Sequence, residues 1–157
     1  MMKRTVIGMG SNVGDRAAYL AQALMLMAER VGRVVQCTPV TETPAWGFEA
    51  PPFLNQSVLM HTWLKPLELL EELQAIEREL GRSVKTRYED GRAVYSDRTI
   101  DLDILDYEGV DCHDKRLTLP HPQIPYRDFV RNELSELGIH IVDEQPSGTF
   151  RLEYNDQ

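Results

Sequence analysis

Asp97-Arg98-Thr99-Ile100-Asp101-Leu102-Asp103-Ile104-Leu105 is the stretch from which the rest of the chain can be read. Ile100, Leu102 and Ile104 alternate with Asp101 and Asp103, the period of two that marks a half-buried strand. Residues i and i+2 of a strand project to one side, so the apolar set is directed at a core and the two carboxylates share the other face. On a rigid strand those carboxylates stand roughly 7 Å apart and repel each other unless positive charge sits between them.

Two sources of that charge are open. Arg98, three residues ahead of Asp101, is one. A pair of Mg²⁺ ions is the other, because hard divalent cations choose carboxylate oxygens and commonly bring phosphates with them. A plainer reading stands beside both, since alternating Asp on a sheet face open to water needs no ligand. The D-x-D spacing does not separate these readings, so the flanking segments must.

With 157 residues the chain is long enough for one ordinary core without staples. Its formal charge of −8 sets 25 acidic against 17 basic residues, which argues against a nucleic-acid backbone or an anionic membrane as partner. Basic residues nevertheless gather locally at Arg78, Arg82, Lys85, Arg87, Arg92 and Arg98, a distribution that suits a small anionic ligand. Cys37 and Cys112 are far apart, with no CxxC and no paired histidine spacing, so they read as reduced thiols rather than zinc ligands. Neither a signal-peptide h-region nor an apolar run of membrane-spanning length is seen, which predicts a cytoplasmic protein. No obligate protein partner is evident.

Upstream, Thr5 to Met9 reads as a strand ending at Gly8-Met9-Gly10-Ser11-Asn12. The third glycine of a dinucleotide fingerprint falls on Val13, and no Gly-Lys-Ser/Thr follows, so the segment reads as a tight glycine turn into a helix with Asp15 near its start. Residues 16 to 30 are predicted helical, with a stripe at Ala17, Leu20, Leu24, Met27 and Val31, Met25 and Met27 serving packing, and Gly32 closing the helix. Arg33 to Glu42 reads as a strand and residues 43–52 as a loop carrying Trp46 and Phe48, which either pack down or wall a flat ligand. Phe53 to Met60 is another strand. Its Asn55 offers a donor and an acceptor, suited to a heterocycle edge or to capping a turn. Pro66 to Leu80 is the clearest helix. Leu69, Leu70, Leu73, Ile76 and Leu80 form its stripe, Lys65 is a poor N-cap, and Glu77 on the inner side needs a partner.

Residues 82–97 show no clean period and carry a central Glu-Asp-Gly turn among arginines, which reads as a structureless lid over the dicarboxylate strand. Asp106 to Asp111 suggests a hairpin with Glu-Gly in its turn. His121 is fixed between two prolines, a short helix runs to about Leu137, and the tail holds one apolar run at Ile139–Val142.

Taken together, these blocks resemble the 6-hydroxymethyl-7,8-dihydropterin pyrophosphokinase family of folate biosynthesis. The resemblance rests on Gly8-Met9-Gly10-Ser11-Asn12, Thr43-Pro44-Ala45-Trp46-Gly47, Phe53-Leu54-Asn55 and Gln74-Ala75-Ile76-Glu77 with Gly81-Arg82. It continues in Arg98-Thr99-Ile100-Asp101-Leu102-Asp103-Ile104, Arg116-Leu117-Thr118-Leu119-Pro120-His121 and Arg127-Asp128-Phe129. It covers about residues 5–137 of a single domain spanning 1–157, with an atypical tail over 138–157. It implies an α+β fold, a mainly antiparallel ferredoxin-like sheet flanked by helices on both faces. The implied activity is transfer of the pyrophosphoryl group of ATP to the pterin's hydroxymethyl group, releasing AMP, by a stand-alone kinase.

By the same resemblance, Asp101 and Asp103 hold two Mg²⁺ ions. Thr43, Ala45 and Asn55 hydrogen-bond the pterin, Phe53 and Phe129 sandwich it, and Asp101 also contacts it. Gln74, Glu77, Arg98, Ile104, Arg116, Thr118, His121 and Arg127 contact ATP, and Arg82 and Arg98 join Asp101 and Asp103 in catalysis. Arg87 and Arg92 are candidates only, because the 82–97 segment is longer than in compact members. Tyr95-Ser96-Asp97 stands where W-G-P is common, and Pro122 where some members carry an aromatic. Two rivals remain: another Mg²⁺-dependent phosphotransferase, which should not need Asn55 or the Phe53/Phe129 pair, and a non-catalytic ferredoxin-like binding module, which has no use for D-x-D beside an arginine-rich segment.

Overall fold

The sheet is built around β1 (Lys3–Ser11), in which Val6 and Ile7 project to opposite faces and are both fully buried. The computed structural model describes residues 1–44, 51–81, 86–89, 92–95 and 99–155, with backbone alone for 86–89 and 92–95. After β1 come α1 (Arg16–Arg30), β2 (Gly32–Cys37), β3 (Thr41–Thr43), β4 (Phe53–Thr62), α2 (Pro66–Glu79), β5 (Thr86–Glu89), β6 (Arg92–Tyr95) and β7 (Asp101–Tyr107). β8 (Cys112–Asp114), β9 (Leu117–Leu119), a 3-10 turn at Ile124–Tyr126, α3 (Asp128–Glu136), β10 (Ile139–Val142) and β11 (Arg151–Tyr154) complete the order.

The main sheet runs β2-β4-β1-β7, each neighbour antiparallel, with β3 extending the β2 side of β4. With α1 and α2 as crossovers this is the ferredoxin-like β-α-β-β-α-β arrangement, and the expected α+β class is borne out. One face buries Ile7, Met9, Val58, Met60, Leu102 and Ile104 against α1 and α2. The other buries Val6, Leu59 and Leu105 against α3, the 3-10 turn and the β10–β11 hairpin. Leu69, Leu73 and Ile76 of α2 are wholly buried, each worth roughly 1.5–3 kcal/mol. No helix among the described residues is long and apolar enough to cross a membrane.

Local chemistry sets the element ends. Asp15 Oδ1 accepts from Ala18 N at 3.1 Å and caps α1. Lys65 cannot cap α2, and Glu68 instead reaches back to Lys65 N at 2.8 Å. Gly32 is required after α1 because a Cβ there would stand 1.9 Å from the His61 carbonyl oxygen. The partner that Glu77 needs is a backbone group: its Oε2 accepts from Leu102 N at 2.9 Å, which also covers part of the outer edge of β7.

Several expectations are corrected. Gly8 and Gly10 lie inside β1, and the turn into α1 comes later, at Asn12–Asp15, with Gly14 at φ 74°. Residues 33–42 form two strands, because Pro39 has no N–H for the ladder. At that break Thr38 takes over, donating its N–H to Ser57 O at 2.9 Å and accepting from Ser57 N at its hydroxyl at 2.9 Å. The 82–97 segment contains an antiparallel hairpin, β5–β6, with Glu89 opposite Arg92. Asp90-Gly91 between strand-prone runs was the signal for it. The Glu108-Gly109 turn forms, but the strand beyond it pairs with β9 rather than β7. Ala17 and Met25 face solvent, and Ala23 takes the inner place on α1.

A part-buried polar contact adds to the packing that orders the atypical tail. β1 and β7 slip register after Ile7–Ile104, so Leu105 and Asp106 share the space opposite Val6. Asp106 accepts from the Tyr154 hydroxyl at 2.5 Å, fastening β11 to the sheet, and Arg4 lies 4.8 Å over the Tyr154 ring. Burial raises the Asp106 carboxyl to about 6 despite that hydrogen bond.

Candidate active site

Register places the functional side chains on the α3 face of the sheet. Gly10 pairs with Asn55 on one side and Asp101 on the other, and Gly8 pairs with Ser57 and Asp103. The floor is therefore a bare glycine trough with amide and hydroxyl on one bank and two carboxylates on the other. Strand spacing separates the banks by about 10 Å. A Cβ at Gly10 would meet Phe53 Cδ1 at 3.3 Å and Asn55 Oδ1 at 3.5 Å, and one at Gly8 would meet Leu105 Cδ1 at 3.3 Å. The absent side chains let Phe53 and Leu105 lie low over the sheet.

The roof comes from the start of α3, where Arg127, Asp128, Phe129 and Val130 face the trough, with Glu133 one helical turn deeper and exposed Tyr126 at the mouth. The cleft encloses about 860 Å³, in the range of small-ligand sites. Thr43 and Pro44 form its rim, and Asn55 Nδ2 donates to Thr43 Oγ1 at 2.7 Å, leaving Oδ1 as an acceptor beside Gly10. Thr43, Phe53, Asn55, Asp101, Asp103, Arg127 and Phe129 thus line one cleft.

A second set lies off this cleft. Glu77 holds Leu102 at the outer edge of β7. His121 N donates to Leu105 O at 2.8 Å further along the same strand, and Thr118 stands on β9. Gln74 is half-buried on α2, and exposed Arg116 sits 3.7 Å from Glu71 of that helix. Ile104 points into the helix-side core, opposite the cleft. His121 Nδ1 accepts from Gln123 N at 3.2 Å. Burial and the Arg127 charge lower its pKa against the pull of Asp101. Ala45, Trp46, Phe48, Arg82 and Arg98 lie outside the described residues, as do the side chains of Arg87 and Arg92.

Among the described residues no cluster of three or more His, Cys, Asp or Glu could hold an ion. A pair of carboxylates fits Mg²⁺, which takes one or two of them and completes its shell with water and phosphate. Asp101 and Asp103, half-buried on one bank, have the right chemistry for it.

Sequence reasoning missed Gly8, Gly10, Ser57, Tyr126 and Glu133. Ser57 was findable, two residues beyond Asn55 on the same strand face, and Glu133 likewise, four residues beyond Phe129 on one helix face. Glu133 is only 5% exposed. Its Oε1 accepts from Ser57 Oγ at 3.1 Å and its Oε2 from Thr38 Oγ1 at 3.3 Å. Burial pushes its pKa up to about 7, against those two hydrogen bonds.

The sequence profile of the 7,8-dihydro-6-hydroxymethylpterin-pyrophosphokinase family matches residues 6–138. A 2-amino-4-hydroxy-6-hydroxymethyldihydropteridine pyrophosphokinase from Porphyromonas gingivalis is 44% identical over 143 residues, covering 90% of this chain and 95% of its own. One from Methylorubrum extorquens is 41% identical over 143 residues, covering 90% and 86%. Among solved structures, an HPPK-DHPS crystallised in complex with substrates superposes with a TM-score of 0.64 at 14% identity, a likeness of fold. The match covers 87% of this chain and 40% of that one. On the extent of the profile match and of these identities, the chain belongs to the 7,8-dihydro-6-hydroxymethylpterin-pyrophosphokinase family.

Proposed function

We infer that this protein transfers the pyrophosphoryl group of ATP to the hydroxymethyl group of 6-hydroxymethyl-7,8-dihydropterin, giving AMP and the dihydropterin diphosphate, in folate biosynthesis. The observation that carries the reading is the glycine trough between Asn55 and Asp101, floored by sheet and flanked by Phe53 and Phe129. Its width of about 10 Å matches a flat bicyclic ring with a one-carbon arm. Thr43, Ala45 and Asn55 take the ring's polar edge, and Phe53 and Phe129 stack on its faces, which adds roughly 0.5–1.5 kcal/mol per aromatic pair beyond burial. The arm then ends at the acidic bank.

The hydroxyl oxygen of the arm attacks the β-phosphorus of ATP. The bond from that phosphorus to the α,β-bridging oxygen breaks, AMP leaves, and the hydroxyl proton passes to water. Such a transfer asks the protein for alignment and charge neutralisation more than for covalent chemistry. Asp101 and Asp103 hold two Mg²⁺ ions, which when bound neutralise phosphate charge and lower the pKa of the attacking hydroxyl. Arg82, Arg98 and Arg127 add positive charge around the phosphates. Gln74, Glu77, Arg116, Thr118 and His121 place the nucleotide along the outer edge of β7, and Ile104 contributes there through its backbone.

An assay for AMP released from ATP and Mg²⁺, with and without the dihydropterin, tests this reading. AMP formation that requires the pterin is the expected result. AMP formed without it would show a different acceptor, and no AMP from folded protein would show a binding module.

A further inference from the structure

The inner end of the cleft carries a polar group that the reaction above does not use. Glu133 lines the cleft, is almost wholly buried, and has no cation among its hydrogen-bond and ion-pair partners in the described residues. Both of its oxygens are oriented by hydroxyls, Ser57 from β4 and Thr38 from the β2–β3 break. Thr38 Oγ1 is itself fixed by accepting from Ser57 N at 2.9 Å, and it donates to Glu133 when that group is a carboxylate. A carboxylate has about four acceptor positions. Two are filled here, leaving acceptor capacity on a fixed group at the wall of a ligand cleft.

Burial without a cation works against the folded state, and a residue kept there solely to tie α3 to β4 could do so as a neutral amide. The neighbouring amide sharpens the point. One Nδ2 proton of Asn55 goes to Thr43, and Oδ1 is the acceptor that this side chain offers the cleft. The 2-amino-4-hydroxy ring named for the relatives presents adjacent N–H groups on one edge, the 2-amino group and N3–H of the oxo tautomer. A carboxylate that reaches that edge adds acceptors to those Asn55 and the rim at Thr43 supply. Ser57 lies two residues along the same face of β4 from Asn55, roughly 7 Å away, and brings the Glu133 carboxylate beside it.

We propose that Glu133, held by Ser57 and Thr38, is a specificity-determining residue that accepts from the 2-amino/N3–H edge of the pterin alongside Asn55. The proposal rests on the pterin reading of the cleft. It makes the site demand a donor edge: a ring bearing oxygen in place of the amino group presents an acceptor to a carboxylate and is rejected.

The test measures dissociation constants of the dihydropterin and of its 2-deamino analogue for the full-length protein with Mg²⁺ and a non-hydrolysable ATP analogue. Wild type, Glu133→Gln and Ser57→Ala are compared. Glu133→Gln is expected to weaken dihydropterin binding by about tenfold or more, as for a lost hydrogen bond to a charged group. Removing the amino group should weaken wild-type binding about tenfold more than it weakens Glu133→Gln binding. Unchanged dihydropterin binding by Glu133→Gln overturns the proposal, as does a loss that is equal for both ligands, which marks a structural tie only. Should Glu133→Gln not fold, Ser57→Ala decides on the same criterion, an amino-dependent loss supporting the proposal and an equal loss overturning it. Wild type that binds the ATP analogue but neither ring compound would instead bring down the pterin reading itself, and this proposal with it.

Discussion

Glu133→Gln also makes a prediction about stability that needs no ligand. Burial raises the Glu133 carboxyl from 4.5 to about 7 in the folded protein. A displacement of roughly 2.5 units at 1.36 kcal/mol per unit amounts to about 3 kcal/mol. The folded pKa lies above the unfolded one, so folding favours the protonated form. Below pH 4.5 the group is protonated in both states and costs nothing. As pH rises from 4.5 to 7 the unfolded chain ionises first and folding becomes progressively less favourable; above about 7 the full penalty applies. Glutamine keeps the shape, accepts from one hydroxyl and donates to the other, and does not ionise. Urea unfolding of both proteins across this range should therefore give stabilities that coincide near pH 4.5 and diverge to about 2–3 kcal/mol in favour of the variant near pH 8. For a domain of this size that is roughly 5–10 °C in Tm. The Asp106 carboxyl, displaced in the same direction, is present in both proteins and cancels from the difference. A gap independent of pH, or one widening toward acid, would refute the reasoning.

Three further outcomes follow from the geometry. Asp103→Ala should reduce turnover at least about a hundredfold while leaving circular dichroism and the unfolding midpoint near wild type, because Asp103 stands on the cleft wall and not in a core; wild-type turnover at unchanged Mg²⁺ would remove its assignment. Gly10→Val should raise the KM for the pterin well above any change in that for ATP, since even a Cβ at this position comes within 3.3 Å of the Phe53 ring. Equal changes in both constants would show a general distortion of β1. Tyr154→Phe should cost about 1–3 kcal/mol, more at pH 8 than at pH 5, because it removes the hydroxyl donor from the buried Asp106 carboxylate; denaturant unfolding at the two pH values reads both the size and the sign.

What was legible in the sequence was what depends on local period. The acidic face of β7 followed from alternation, the Glu77 need for a partner from its place on the inner stripe of α2, and the Asp15 cap from its position before an amphipathic run. What was not legible depends on pairing across long separations. Gly8 and Gly10 read as a turn because glycines after a strand normally mark one. Only the register against Asn55 and Asp101 reveals them as the floor of a cleft. Glu77 could be known to need a donor, but a backbone N–H on β7 leaves no signature in side-chain identity. Thr38 and Glu133 are 95 residues apart, and nothing local to either announces the other. The tail showed an apolar run but not its anchor, because the Asp106–Tyr154 contact arises from a register slip between β1 and β7.

The measurement that tests the central claim most directly follows the β-phosphate. With ATP radiolabelled at the β position, Mg²⁺ and 6-hydroxymethyl-7,8-dihydropterin, the cleft described here should move the label onto the pterin in step with AMP release, one label per AMP, with no labelled ADP. Label retained in ADP, with only the γ-phosphate transferred, would contradict attack at the β-phosphorus and with it the alignment of the pterin arm against the Asp101/Asp103 bank.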